Sequence, residues 1–150
     1  MRIILALDIG LKRIGVAKAI QNIPLPLPPI FRKNRNQAAK EISQLILESQ
    51  ASVLVVGIPF ENDSSSSDNP ILAMQRRIRH FVSLLALPSH LEIIFLDESF
   101  SSFEAMKRLE TKKDRKKAHS KDGSLDSLAA MILLERYLQS ENLVSQIPKS

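Results

Sequence analysis

The sequence predicts a single α/β domain on a mixed sheet, and three observations carry that expectation. Residues 3–7, Ile-Ile-Leu-Ala-Leu, are too few for a typical helix and apolar on both alternating sets, as in a strand covered on both faces. A second run containing Ile14, Val16 and Ala17 follows a turn bracketed by Gly10 and Gly15, which makes the pair a hairpin. Downstream, strand-like runs at 53–58 and 91–96 alternate with segments of helical period, the order that gives parallel pairing and a layered unit. With 150 residues the chain can bury a sizeable core as one domain, expected over 1–139 with a tail at 140–150.

The remaining elements follow from local chemistry. Pro24, Pro26, Pro28 and Pro29 leave no helical option, so this stretch leads into a third strand at a sheet edge, ending near Phe31. Asn36 can cap a helix over 37–49 whose Ala38, Ile42, Leu45, Ile46 and Ser49 share a face. The β-branched run 53–58, stopped by Gly57 and Pro59, is the central strand. A polar stretch at 61–69 is a connector at the sheet's carboxyl edge. Asp68 or Asn69 then caps a helix with Pro70 in its first turn. Its Ile71, Met74, Ile78, Phe81, Val82 and Leu85 form the core stripe, leaving Arg76, Arg77 and Arg79 on a solvated face. After Pro88 comes the strand 91–96, then a short helix at 103–109, a basic loop, and a last helix capped by Ser124 that buries Leu125, Leu128, Ala129, Ile132 and Leu133.

Composition removes several function classes. The chain has no cysteine, which excludes disulfides, thiolate zinc sites and a cysteine nucleophile, and fits a reducing compartment. His80, His90 and His119 lack any metal-binding spacing, and no Gly-x-Ser-x-Gly elbow supports a serine hydrolase. There is no membrane-length apolar run and no cleavable signal pattern, so a cytoplasmic location away from membranes is expected. The net charge of +5 is concentrated: between Lys107 and Lys121 eight basic residues face two acidic ones, a segment of +6 that points to a polyanionic partner.

Three acids stand where elements begin or end. Asp8 closes the first apolar run, Asp97 and Glu98 close the strand at 91–96, and Asp126 lies in the first turn of the last helix. In a strand, Glu98 shares its side with Ile94 and Leu96 while Asp97 shares its side with Ile93 and Phe95, so both cannot face Asp8. Converging buried carboxylates are sensible mainly around a cation, and oxygen-only ligation suits magnesium or manganese. Asp126 also suits its place by complementing the helix dipole.

Asp8-Ile9-Gly10-Leu11-Lys12-Arg13-Ile14-Gly15-Val16-Ala17, Val55-Val56-Gly57-Ile58-Pro59, Leu96-Asp97-Glu98 and Leu125-Asp126-Ser127-Leu128-Ala129-Ala130 together resemble the motifs of the YqgF family, also called RuvX or Holliday-junction-resolvase-like, over about residues 1–139. The resemblance implies an RNase H-like fold, with a five-stranded sheet whose first three strands are antiparallel and the rest parallel, and helices on both faces. It assigns Asp8, Glu98 and Asp126 to the catalytic and metal-binding positions, with two Mg2+ or Mn2+ ions. It further implies a nuclease of the 5′ end of pre-16S ribosomal RNA, active in ribosome biogenesis on RNA in preference to DNA. Ribosomal precursor particles are the implied partners, and the chain is expected as a monomer or homodimer. Lys12, Arg13, Lys112, Lys113, Arg115, Lys116 and Lys117 would hold the nucleic-acid backbone by charge. Resolution of DNA junctions and non-catalytic docking on ribosomal RNA are the alternative readings. Two positions depart from the family pattern: Ser99 stands where arginine is usual, removing a planar cation able to hold phosphate bidentately, and Asp63-Ser64 replaces an Asp-Gly pair.

Overall fold

The computed structural model describes residues 2–60, 69–98 and 124–145, with side chains in the last stretch over 125–142. Eight elements follow one another there: β1 (Ile3–Ile9), β2 (Arg13–Ile20), β3 (Ile23–Phe31), α1 (Arg35–Ser49), β4 (Val53–Ile58), α2 (Pro70–Ser83), β5 (Glu92–Asp97) and α3 (Ser124–Ser145). The sheet order is β3-β2-β1-β4-β5, with β1, β2 and β3 antiparallel in sequence and β4 parallel to both β1 and β5. This is the expected mixed sheet. The short helix expected at 103–109, the basic segment and most of the 61–69 stretch lie outside the described residues.

Side-chain alternation sorts the two layers. Leu5, Leu7, Ile9, Leu54, Val56 and Ile58 point toward α1 and α2, meeting Ile42, Ile46, Ile78 and Phe81. Ile4, Ala6, Ala17, Ala19, Val53 and Val55 point the other way, under Ala130, Leu134 and Tyr137 of α3. The two faces are not equivalent in bulk. Three alanines and Gly15 on the α3 side let that helix lie close to the sheet, and a Cβ at Gly15 would run into the Asp126 carbonyl and stand 2.8 Å from the Ser127 nitrogen. Only glycine leaves room there.

The helix ends correct two of the expected caps and choose between the two candidates for a third. Asn34, not Asn36, caps α1: its side chain accepts from the Gln37 N–H at 2.8 Å while the Gln37 side chain accepts from the Asn34 N–H, a reciprocal box that Asn36 has no partner to build. Asn69 caps α2 ahead of Pro70, accepting from the Ile71 N–H. Ser124 is the first residue of α3 rather than its cap, and the helix continues past 139 to Ser145, where Glu141 pairs with Arg2. In α3, Leu125 and Leu128 are only partly buried while Ala130, Leu134 and Tyr137 are enclosed, because the sheet-facing stripe is offset from the one the spacing suggested. Strand β3 carries its four prolines and is irregular where it passes β2, its register shifting between the pairs Ile14–Ile30 and Val16–Leu27 so that Pro28 and Pro29 fall in the bulge.

Candidate active site

Asp8 and Glu98 come from strands that are not neighbours. Asp8 lies on the α3 face of β1, on the same alternation as Ile4 and Ala6. Glu98 follows β5 directly, its N–H bonded to the Ile58 carbonyl at 3.0 Å, which ties it to the end of β4. Between the two strands runs β4, and it presents Gly57 at this point. A Cβ at Gly57 would stand 3.3 Å from Glu98 Oε2 and 3.2 Å from Glu98 Cβ, so the glutamate lies across a strand that has no side chain to lift it. The sequence marks Gly57 as the stop of a strand; its place within β4, clearing a path for Glu98, was not legible without the sheet order.

The two carboxyls meet. They share a hydrogen bond in which the Asp8 hydroxyl donates to Glu98. Desolvation, followed by the Glu98 charge and that bond and then by the Asp126 charge, pushes the Asp8 pKa up to about 8. Burial raises Glu98 as well, against the lowering effect of the bond from Asp8. Two acids pressed together at the edge of a core cannot both ionise without a compensating cation, and here a proton fills that role.

Asp97 takes the other side, as alternation requires: its Oδ1 accepts from the Phe60 N–H at 3.3 Å. Asp126 sits in the first turn of α3, close enough for its charge to act on Asp8, but it faces Arg13, whose Nε donates to Asp126 Oδ2 at 2.8 Å. Ser127 fixes this end of the helix to the sheet by accepting from the Val16 N–H at 3.3 Å. Among the described residues no three acidic or histidine side chains already stand together as a ligand set. The structure therefore brings Asp8 and Glu98 into contact, and holds Asp126 nearby in an ion pair that spacing could not foresee across 113 positions.

Of the residues expected to hold nucleic acid, Lys12 is exposed at the hairpin tip beside Leu11, whereas Arg13 is committed to Asp126. Lys112, Lys113, Arg115, Lys116 and Lys117, like Ser99, lie outside the described residues. Arg79 is exposed, as expected, with its guanidinium 4.6 Å from the Phe95 ring centre. His80 and His90 are exposed. No helix among the described residues is long and apolar enough to cross a membrane.

Residues 2–140 match the family model described as RuvX, Holliday junction resolvase. A Helicobacter hepaticus protein named as a candidate pre-16S rRNA nuclease is 48% identical over 139 residues, covering 92% of this chain and 96% of its own length. A Campylobacter jejuni protein of the same name is 49% identical over 139 residues, with 91% and 96% covered. Among solved structures, the chain is similar to Thermus thermophilus RuvC in complex with a Holliday junction substrate, at a TM-score of 0.60 and 11% identity over 95% of this chain and 96% of that one. The yeast mitochondrial Holliday junction resolvase Ydc2 follows at 0.52 and 12%, over 95% and 83%. At such identities these two likenesses concern the fold.

Proposed function

The chain belongs to the RuvX family, and from that premise we propose that it is a divalent-metal-dependent nuclease that hydrolyses phosphodiester bonds in the 5′ region of pre-16S ribosomal RNA. The observation that carries the reading is the contact between Asp8 and Glu98 over Gly57. A pair of acids that must share a proton when alone is a pair that a divalent cation relieves, and its donors are all oxygen, which fits magnesium or manganese. Asp126 joins as the third acid once its bond to Arg13 is exchanged for a cation. The chemistry such ions supply when bound is neutralisation of the scissile phosphate and acidification of water.

The chain's own residues do the rest. Asp8 and Glu98 give up their shared proton when a cation takes its place, so affinity for the metal rises with pH. Arg13 places a guanidinium at the mouth, able to move from Asp126 to a phosphate oxygen. Lys12 at the hairpin tip, with Lys112, Lys113, Arg115, Lys116 and Lys117, holds the backbone by charge, giving strong salt dependence and little reading of sequence.

RNA as the substrate is supported by the names of the relatives that share 44–49% identity. DNA junctions are the second reading, favoured by the fold shared with resolvases. The test incubates the purified protein with labelled ribosomal precursor and with four-way junction DNA, with and without manganese or magnesium, beside Asp8→Asn and Glu98→Gln. Metal-dependent cleavage lost in both variants is the expected result. Cleavage by Asp8→Asn at the rate of the parent sinks the site, and binding of RNA with no cleavage by the parent under any metal leaves a docking protein.

A further inference from the structure

Behind the acid pair, on the other face of the sheet, a cavity of about 360 Å³ opens between the β1–β2 turn, the end of β3 and helices α1 and α2. Successive residues of β1 separate the two places, Asp8 pointing toward α3 and Ile9 into this cavity. The floor is apolar, made by Ile9, Met74, Ile78 and Phe81, and Leu11 stands 70% exposed at its mouth. The walls carry four arginines, Arg32, Arg35, Arg76 and Arg77.

None of the four makes an ion pair with a carboxylate among the described residues. Arg32 donates to the Gly10 carbonyl at 2.6 Å and lies 5.0 Å from the Phe81 ring centre, and Arg35 Nη1 lies 3.4 Å from His80 Nε2. Burial, then the charge of Arg35, lowers the Arg32 pKa, as expected where cations crowd together. Four guanidiniums over an apolar floor are a poor arrangement for an empty protein and a good one for a ligand that is both flat and phosphorylated. The volume lies at the small end of ligand pockets, enough for one such unit and not for a cofactor of dinucleotide size.

We propose that this cavity binds one nucleoside monophosphate unit, its phosphate among Arg35, Arg76 and Arg77 and its base against Leu11 and Met74. The unit is either a nucleotide of a bound strand that passes over the sheet edge from the acid pair, or a free mononucleotide; only the first source rests on the nuclease reading. Charge-assisted bonds to the phosphate give the affinity and the apolar floor distinguishes the nucleotide from inorganic phosphate.

Isothermal titration of the full chain in EDTA tests it with three probes: adenosine 5′-monophosphate, adenosine and inorganic phosphate. The monophosphate should bind saturably and at least about tenfold more tightly than either of the others. Replacing both Arg76→Ser and Arg77→Ser, which are exposed, should weaken it by about tenfold or more while leaving the melting temperature unchanged. Asp8→Asn should leave the affinity unaltered. Equal affinity for adenosine and its monophosphate, phosphate binding as tightly as the nucleotide, or undiminished binding by the double variant each overturns the assignment. Competition by a 5′-phosphorylated pentanucleotide separates the sources: tighter binding than the mononucleotide identifies a strand, weaker binding a free nucleotide. Failure of the monophosphate to bind while Asp8-dependent cleavage persists removes this cavity alone, and binding without any cleavage removes the nuclease reading alone.

Discussion

Replacing Asp8 by asparagine should make the metal-free protein more stable at alkaline pH, in proportion to how far the aspartate is held from its ordinary ionisation. Its carboxyl titrates near pH 8 in the folded chain against about 3.8 when free. Between those values the folded chain binds a proton that the unfolded chain has lost, so Asp8's contribution is fully present below pH 4 and declines as pH rises through 8. Over pH 6 to 8 the total change has a ceiling of about 3 kcal/mol, since each pH unit is worth about 1.4 kcal/mol. Sharing of the proton with Glu98 and the partial opening of the site to water reduce that by roughly half, to about 1.5 kcal/mol. For a chain of this length the difference corresponds to about 3–6 °C in melting temperature. The assay is thermal unfolding of parent and Asp8→Asn in EDTA at pH 6 and pH 8, read as the difference between the two proteins so that the histidines cancel. The parent should lose stability relative to the variant by that amount as pH rises. A difference that is constant across this range, or that grows in the parent's favour, refutes the shared proton and with it the electrostatic argument for a cation at this place.

Four further outcomes follow from the geometry. Gly15→Ala places a methyl group against the backbone of Asp126 and Ser127, which cannot turn aside, and should cost about 3 kcal/mol or more in denaturant unfolding. Gly57→Ala meets the movable end of Leu133, 2.6 Å away, and the Glu98 side chain; it should cost only about 1–2 kcal/mol yet abolish the pH dependence just described, because Glu98 is lifted from Asp8. Arg13→Gln releases Asp126 and should tighten manganese binding in calorimetry while lowering metal-free stability by less than about 1 kcal/mol, the pair being partly exposed. Asn34→Ala removes the cap of α1 and should cost about 1 kcal/mol, visible as a fall in melting temperature with no effect on cleavage.

Periodicity made the layers readable. Runs such as 3–7 and 53–58 are apolar on both alternating sets because both of their faces are covered, and the stripes of α1 and α2 are the sides that meet them. Alternation along β5 likewise separated Glu98 from Asp97, and the structure sends them to opposite faces. What sequence could not convey depended on approach in space. Gly57 and Gly15 look like turn or breaker residues until the sheet order sets a glutamate over one and a helix over the other. Arg13, beside Lys12 in a basic tip, reads as a phosphate contact, but only the packing of α3 reveals the carboxylate already waiting for it. The choice between Asn34 and Asn36 as cap turned on Gln37, whose reach back is a three-residue matter that apolar spacing does not weigh.

Strand β3 lies at one border of the sheet, laddered among the described residues to β2 alone. Pro24 and Pro26 stand opposite Ala19 and Ala17, and because neither ring nitrogen can donate to β2, their donor positions are those turned outward. The outer rim of this strand consequently offers acceptors with few hydrogens between them, and an extended segment from another molecule finds no ladder to continue. Self-assembly by strand addition is closed off on this flank.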